Sequence, residues 1–233
     1  MPKGLLIDYG GTLVEEYSSD ERAGNEWLFA RAAYRPPGVT IDQVLDRARI
    51  VSNEIAARRD DFQIETPWAM STRLIHEFFG IRFEDSMADL ELGFWKASVK
   101  TRPIPGAFEA LEELHRCKIP MGVVSNCSFG SHVLRYELAK HGLAEHLRFV
   151  MVSAEYSVRK PNVLLFETAA AKLGRKPEDI WFIGDRLETD IAGAKSACMT
   201  TVWFQPPPGA SSERADISVE NWSEFLSRFR QSR

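Results

Sequence analysis

Cysteine is scarce in this chain: the three present, Cys117, Cys127 and Cys198, are odd in number and widely spaced. That pattern offers neither a disulfide framework nor a paired-cysteine zinc site, and reduced thiols in a cytoplasmic protein are the expectation. The five histidines are scattered over helical-looking segments and form no HExxH pair, so a metalloprotease-type zinc helix is excluded. No run of 18 apolar residues occurs, so no membrane span is expected. The opening MPKGLLIDYG is too short and too soon charged for a secretory leader. Basic residues never gather in runs of four, and the net charge is −4, so no general basic field attracts nucleic acid. There is no internal repeat and no low-complexity tract. What is present is 233 residues, 44% hydrophobic and 27% charged, enough for one good core or a core with a smaller attached domain.

Residues 4–8 end a short apolar run, Leu5-Leu6-Ile7, in Asp8, and Gly10-Gly11 stops it, as in a buried strand. From about residue 18 the pattern is helical for some eighty residues. Thr40 and Gln43 have capping-box spacing, and Ile41, Val44, Leu45, Ala48, Val51 and Ile55 mark one helix face. Thr66-Pro67 reads as an N-cap followed by proline at the first helical position, in a helix stopping at Gly80. Another helix covers roughly 84–98, and TRPIPG (101–106) is a proline-rich return. Beyond it helices at 107–116, 131–141, 163–173 and 189–197 alternate with strands at 119–124, 149–152, 180–183 and 200–204. A short strand at 216–219 and a terminal helix capped by Asn221 follow. Such alternation, with continuously apolar strands, specifies an α/β core with a parallel sheet covered on both faces. The expected organisation is a Rossmann-like core made of residues 1–16 and 101–233, interrupted by a helical insert at 17–100. The hinges are expected near Val14–Tyr17 and Lys100–Pro105.

Sites in open parallel sheets form beyond the carboxyl ends of the strands. Four such ends carry related polar residues: Asp8 before Gly10-Gly11-Thr12; Ser125-Asn126 after Val124; Lys160 in RKPN; and Asp185 with Asp190 in GDRLETD. Each alone has an ordinary explanation as a cap, a turn residue or a solvated charge. Four in chain order on successive strand ends are hard to explain that way. Asp8, Asp185 and Asp190 brought together repel one another and need a cation, and an all-oxygen ligand set suits Mg²⁺ rather than zinc. Lys160 adds fixed positive charge, while Ser125, Thr12 and the glycine turn supply donors, which is what a phosphoryl group requires as its charge redistributes. One carboxylate, Asp8, is then free to act as nucleophile.

DYGGTL, VVSN, RKP and GDRLETD, in this order, resemble the four signature motifs of the haloacid dehalogenase-like hydrolase superfamily, over residues 4–15 and about 103–220. The resemblance implies a Rossmannoid core and makes the insert a helical cap closing over the site. It implies Asp8 as nucleophile, with Ser125, Thr12 and Lys160 holding the phosphoryl group and Gly11 and Asn126 also facing the substrate. Mg²⁺ would be bound by Asp8, the main-chain carbonyl of Gly10 and Asp185, with Asp190 in support.

The chain departs from the family pattern at one position. The usual motif has a second aspartate two residues after the nucleophile, which protonates the leaving group and later activates water. Here Gly10 stands there. General acid–base catalysis contributes about 10²–10⁴-fold, so its loss implies a slow enzyme, one restricted in substrate, or one that borrows another acid. Tyr9 is adjacent, but its side chain should point away from that of position 8.

The first expectation is a Mg²⁺-dependent phosphatase for a small phosphorylated metabolite, a monomer or homodimer with no nucleic-acid or membrane partner. A metal-independent 2-haloacid dehalogenase comes second, since it leaves the acidic fourth motif unexplained. A phosphate-binding pseudoenzyme with a regulatory role comes third. Arg58 and Arg59 are placed to meet an anionic substrate or to sit solvated at a helix end. Trp27, Trp68 and Trp95 are expected to pack within the insert.

Overall fold

The computed structural model describes residues 1–209 and 214–232; the side chains of residues 57, 58, 60 and 61 lie outside the described set, so of the pair Arg58 and Arg59 only the Arg59 side chain is placed. Among the described residues a six-stranded parallel sheet forms the centre, in the order β5-β4-β1-β6-β7-β8. Its strands are β1 (Gly4–Ile7), β4 (Met121–Ser125), β5 (Phe149–Val152), β6 (Ile180–Gly184), β7 (Thr200–Phe204) and β8 (Ile217–Val219). β1 lies in the middle, with Leu6 level with Gly122 of β4 and with Phe182 of β6. That register brings the carboxyl ends of the three strands carrying Asp8, Ser125 and Asp185 side by side.

Alternation along β1 explains its unbroken apolar run. Leu5 and Ile7 pack with α5 (Ala107–Arg116), α6 (Ser131–Lys140) and α9 (Trp222–Gln231), while Leu6 packs with α7 (Val163–Leu173) and α8 (Ala192–Ser196). All three are fully buried. Burying a leucine or isoleucine on each face contributes about 1.5–3 kcal/mol per side chain, and this two-sided burial gives the strand its non-alternating pattern.

The insert contains α1 (Glu21–Arg31), α2 (Ile41–Phe62), α3 (Trp68–Phe78) and α4 (Met87–Ser98). The Thr40 capping box forms in both directions, Gln43 N–H to Thr40 Oγ1 at 3.3 Å and Thr40 N–H to Gln43 Oε1 at 2.9 Å. Leu28, Trp68, Leu90 and Phe94 make one small core, with Trp27 against it, and Val44, Val51, Ile75 and Ile81 make another. Trp95 differs from expectation. It packs with the main core, and its indole donates to Glu137 Oε1 on α6 at 3.0 Å, so it fastens the insert rather than filling it.

Three local expectations change. Nothing in VEEYSS or VKTRP marks a strand, yet β2 (Val14–Ser19) and β3 (Val99–Pro103) pair antiparallel where the insert leaves and rejoins the core. Both are largely exposed, and each finds its partner some eighty residues away, so neither carries an apolar pattern. Pro67, not Thr66, is the N-cap of α3 and makes no side-chain bond; the Trp68 N–H instead donates to Ser128 of the core at 2.8 Å. The last inter-strand helix begins as a π-type turn at Leu187–Ile191, before the expected Thr189. No described helix is long and apolar enough to cross a membrane.

Candidate active site

Beyond β1 the chain turns at once. Leu13 and Val14 both donate to the Tyr9 carbonyl, Gly11 donates to that of Val14, and Gly11 adopts φ +74°. A Cβ at Gly11 would stand 2.5 Å from Asp185 Oδ2, so glycine there permits both the turn and the close approach of that carboxylate. At Gly10 a Cβ would meet nothing within 4 Å, so the place of the missing side chain is open space. Tyr9, as alternation requires, is buried in the main core, only 2% exposed.

Lys160 is the electrostatic centre. Its Nζ lies 2.6 Å from Asp8 Oδ1 and 2.6 Å from Asp190 Oδ1, and donates to the Val124 carbonyl at 3.0 Å. Asn126 fixes its backbone: Oδ1 accepts from the Lys160 N–H at 2.7 Å, and Nδ2 donates to the Lys160 carbonyl at 3.0 Å. The Lys160–Pro161 peptide is cis. The π-type turn carries Asp190 back toward the strand ends, where its Oδ2 accepts from the Arg186 N–H at 3.0 Å.

The titration directions follow from this crowding. Burial pushes Asp8 up to about 7, against the pull of Lys160 and with added repulsion from Asp190 and Asp185. Burial and then the charge of Asp190 push Asp185 up as well. Burial alone would lower Lys160, but Asp190 and Asp8 outweigh it and hold the ammonium above its ordinary value. Carboxylate oxygens of Asp8, Asp185 and Asp190 lie within 4.8 Å of one another. Among the described residues Asp185 Oδ1 is buried without a hydrogen-bond partner. Three carboxylates around one ammonium leave an uncompensated negative excess, and their hard oxygen donors fit a divalent cation such as Mg²⁺.

A cavity of about 490 Å³ opens above these groups, lined by Asp8, Gly10, Gly11, Ser125, Asn126, Lys160, Asp185 and Asp190. Of the residues expected at the site, Thr12 is not on this wall: it is fully buried, its hydroxyl has no hydrogen-bond partner among the described residues, and its carbonyl accepts from the Trp222 indole at 3.0 Å. Arg159, Arg186 and Thr189 also line the cavity, each inside the RKPN or GDRLETD motif. Glu15 and Glu16 of β2 line it without any sequence signal.

Segment 63–68 of the insert is laid against the core beside this cavity. Arg159 N–H donates to the Gln63 carbonyl at 3.0 Å, and buried Glu65 accepts from Ser153 Oγ at 2.6 Å and pairs with the Arg159 guanidinium. Arg59 lines a neighbouring cavity with Glu16, Glu65 and Arg159.

A family model described as haloacid dehalogenase-like hydrolase matches residues 68–204. A glyceraldehyde 3-phosphate phosphatase of Methanopyrus kandleri is 37% identical over 102 residues, 43% of this chain and 42% of that protein. The chain spans about half the length of the curated relatives it matches. Among solved structures, a 2-haloacid dehalogenase from Pseudomonas syringae pv. Tomato DC3000 superposes with a TM-score of 0.69 at 18% identity over 100% of both chains. A phosphatase from Thermococcus onnurineus does so at 0.65 and 21% identity over 97% of each. These likenesses show the shared fold.

Proposed function

The chain belongs to the haloacid dehalogenase-like hydrolases, and from that premise we propose that it is a phosphatase acting on a small phosphorylated metabolite through a phosphoryl-Asp8 intermediate. The observation that carries this reading is the pairing of one buried ammonium, Lys160, with two carboxylates, beside a third that remains in excess. The printed names of the matched relatives, glyceraldehyde 3-phosphate phosphatase among them, favour a phosphate ester as substrate.

In this reading Asp8, Asp185 and Asp190, with the Gly10 carbonyl, would hold Mg²⁺. The ion, when bound, neutralises phosphoryl oxygens so that an anionic nucleophile can approach an anionic substrate. Asp8 supplies that nucleophile: its free oxygen attacks phosphorus, and the ester oxygen departs with the electron pair of the broken bond. Lys160 holds Asp8 by its other oxygen, Oδ1, and brings positive charge to the transferring group. Ser125, buried at the end of β4 and on the cavity wall, donates to a phosphoryl oxygen. Asn126 acts one step removed, by holding the Lys160 backbone. The insert with its own small cores serves as a cap that excludes water while phosphate is on Asp8. The metal-independent dehalogenase ranks second because it has no use for the excess carboxylates. The free cysteines suit a reducing compartment, and the cytoplasm is the proposed location.

Phosphate release with Mg²⁺ and with chelator, over phosphorylated metabolites and para-nitrophenyl phosphate, tests this. Mg²⁺-dependent release, lost in a folded Asp8→Asn variant, is expected. Full activity in that variant, or halide release from 2-haloacids with no phosphate release, would overturn the reading.

A further inference from the structure

The open space at Gly10 leaves the leaving oxygen without its usual proton donor, and most proton-carrying groups on the cavity wall are already committed. Glu15 is held by Arg102 at 2.6 Å. Lys160 is paired twice, and Arg159 is paired with Glu65. Asp185 and Asp190 belong to the acidic cluster. Burial pushes the Tyr9 phenol and the Cys127 thiol far above their ordinary values, and Tyr9 is turned into the core.

Glu16 differs from all of these. Among the described residues its carboxylate has neither an ion pair nor a hydrogen bond. It stands on β2 opposite Thr101, beside the register shift between Glu16 and Ser18. It lines the 490 Å³ cavity with Asp8, Gly10 and Lys160, the adjoining cavity with Arg59 and Arg159, and a third of about 280 Å³ among the insert helices. It therefore sits where the phosphoryl end of the cleft meets the space running into the insert. An ester with phosphorus at Asp8 and its organic part toward the insert presents its bridging oxygen at that junction. Glu16 is an exposed residue of β2 whose carboxyl lines the cleft, and its surroundings push it above the ordinary glutamate value, through loss of solvent on the cleft side first and then the charge of Glu137.

Resting on the phosphatase reading, we propose that Glu16 is the general acid and base of this site, in place of the side chain missing at position 10. As Asp8 attacks and the phosphorus–ester bond breaks, the leaving oxygen keeps the electron pair and takes the proton of Glu16, giving an alcohol and a Glu16 carboxylate. Water then attacks phosphorus and gives its proton to that carboxylate. The phosphorus–Asp8 bond breaks with its electrons returning to Asp8, and inorganic phosphate leaves with both side chains restored.

The test is Glu16→Gln in the full chain, compared on glycerol phosphate, whose alkoxide needs a proton, and para-nitrophenyl phosphate, whose phenolate does not. The expected result is a fall of about 10²-fold or more in the single-turnover rate of alcohol release from the alkyl ester, with little change in the pre-steady-state burst of nitrophenolate from the aryl ester; the later hydrolysis of phosphoryl-Asp8, which uses Glu16 as base, slows alike for both. Adding Gly10→Asp to Glu16→Gln should restore alkyl turnover, which also shows that the variant folds. Equal losses on both esters in that first step, no loss on the alkyl ester, or a wild type active on the aryl ester alone would overturn the role of Glu16 while leaving the phosphatase reading intact. A wild type inactive on both esters overturns both.

Discussion

Asn126 clasps Lys160 at both main-chain groups, accepting from its N–H at 2.7 Å and donating to its carbonyl at 3.0 Å. The clasp joins the end of β4 to a loop 34 residues later, and it places the ammonium between Asp8 and Asp190. Asn126→Ala is expected to cost about 1–3 kcal/mol in urea unfolding, because two partly buried backbone groups lose their partners. It should lower kcat more than it raises KM, since Lys160 serves the transition state. Asn126→Asp keeps the acceptor but turns an oxygen toward the Lys160 carbonyl, and it should rescue neither property. An alanine variant with unchanged unfolding and turnover would remove the positioning role.

The charge state of Asp8 gives a pH prediction for the metal-free protein. Its carboxyl rises from an ordinary 3.8 to about 7 on folding, chiefly by burial. Between those values the unfolded chain has released its proton while the folded one retains it, so this group's contribution to stability declines as pH rises. Asp8→Asn lacks the titration. In chelator, the stability of wild type minus that of Asp8→Asn should fall steadily between about pH 4 and pH 7. A difference that is flat or rises over that window contradicts the assignment.

The two neighbouring glycines should respond oppositely to alanine. Gly10→Ala puts a methyl into open space, so stability should change by less than about 1 kcal/mol. Gly11→Ala forces a side chain onto φ +74° and onto the Asp185 carboxylate at 2.5 Å, and should cost more than about 1 kcal/mol. Gly11→Ala should also weaken Mg²⁺-induced stabilisation, read as a smaller rise in Tm on adding the ion. Equal behaviour of the two variants would mean that the turn is not built this way.

Glu65 links the insert to the core through Ser153 and Arg159. Removing it leaves the guanidinium of Arg159 without its carboxylate in a site where that side chain is only 18% exposed. Glu65→Ala is expected to cost about 3 kcal/mol and to speed proteolytic cleavage of the insert at substoichiometric protease. Unaltered proteolysis would show that the Trp95–Glu137 bond and the β2–β3 ribbon hold the insert without it.

The sequence by itself determined the sheet and its site-bearing ends. The apolar run of β1, the helix at 163–173 and the strand at 149–152 are local patterns of periodicity and caps, and they lie where those patterns put them. Asp8, Ser125, Lys160 and Asp185 were legible because parallel strands present their carboxyl ends together, so motifs on successive ends must meet. Only the tertiary structure decided the rest. The β2–β3 pairing depends on exposed backbone meeting across some eighty residues, which leaves no apolar trace in either segment. Asn126 grips the Lys160 backbone while lining the cavity, and Glu16 is brought to the cleft by the β2–β3 pairing. The openness beside Gly10 was likewise invisible, since the space around a missing side chain is set by all its neighbours in three dimensions and by none of them in sequence.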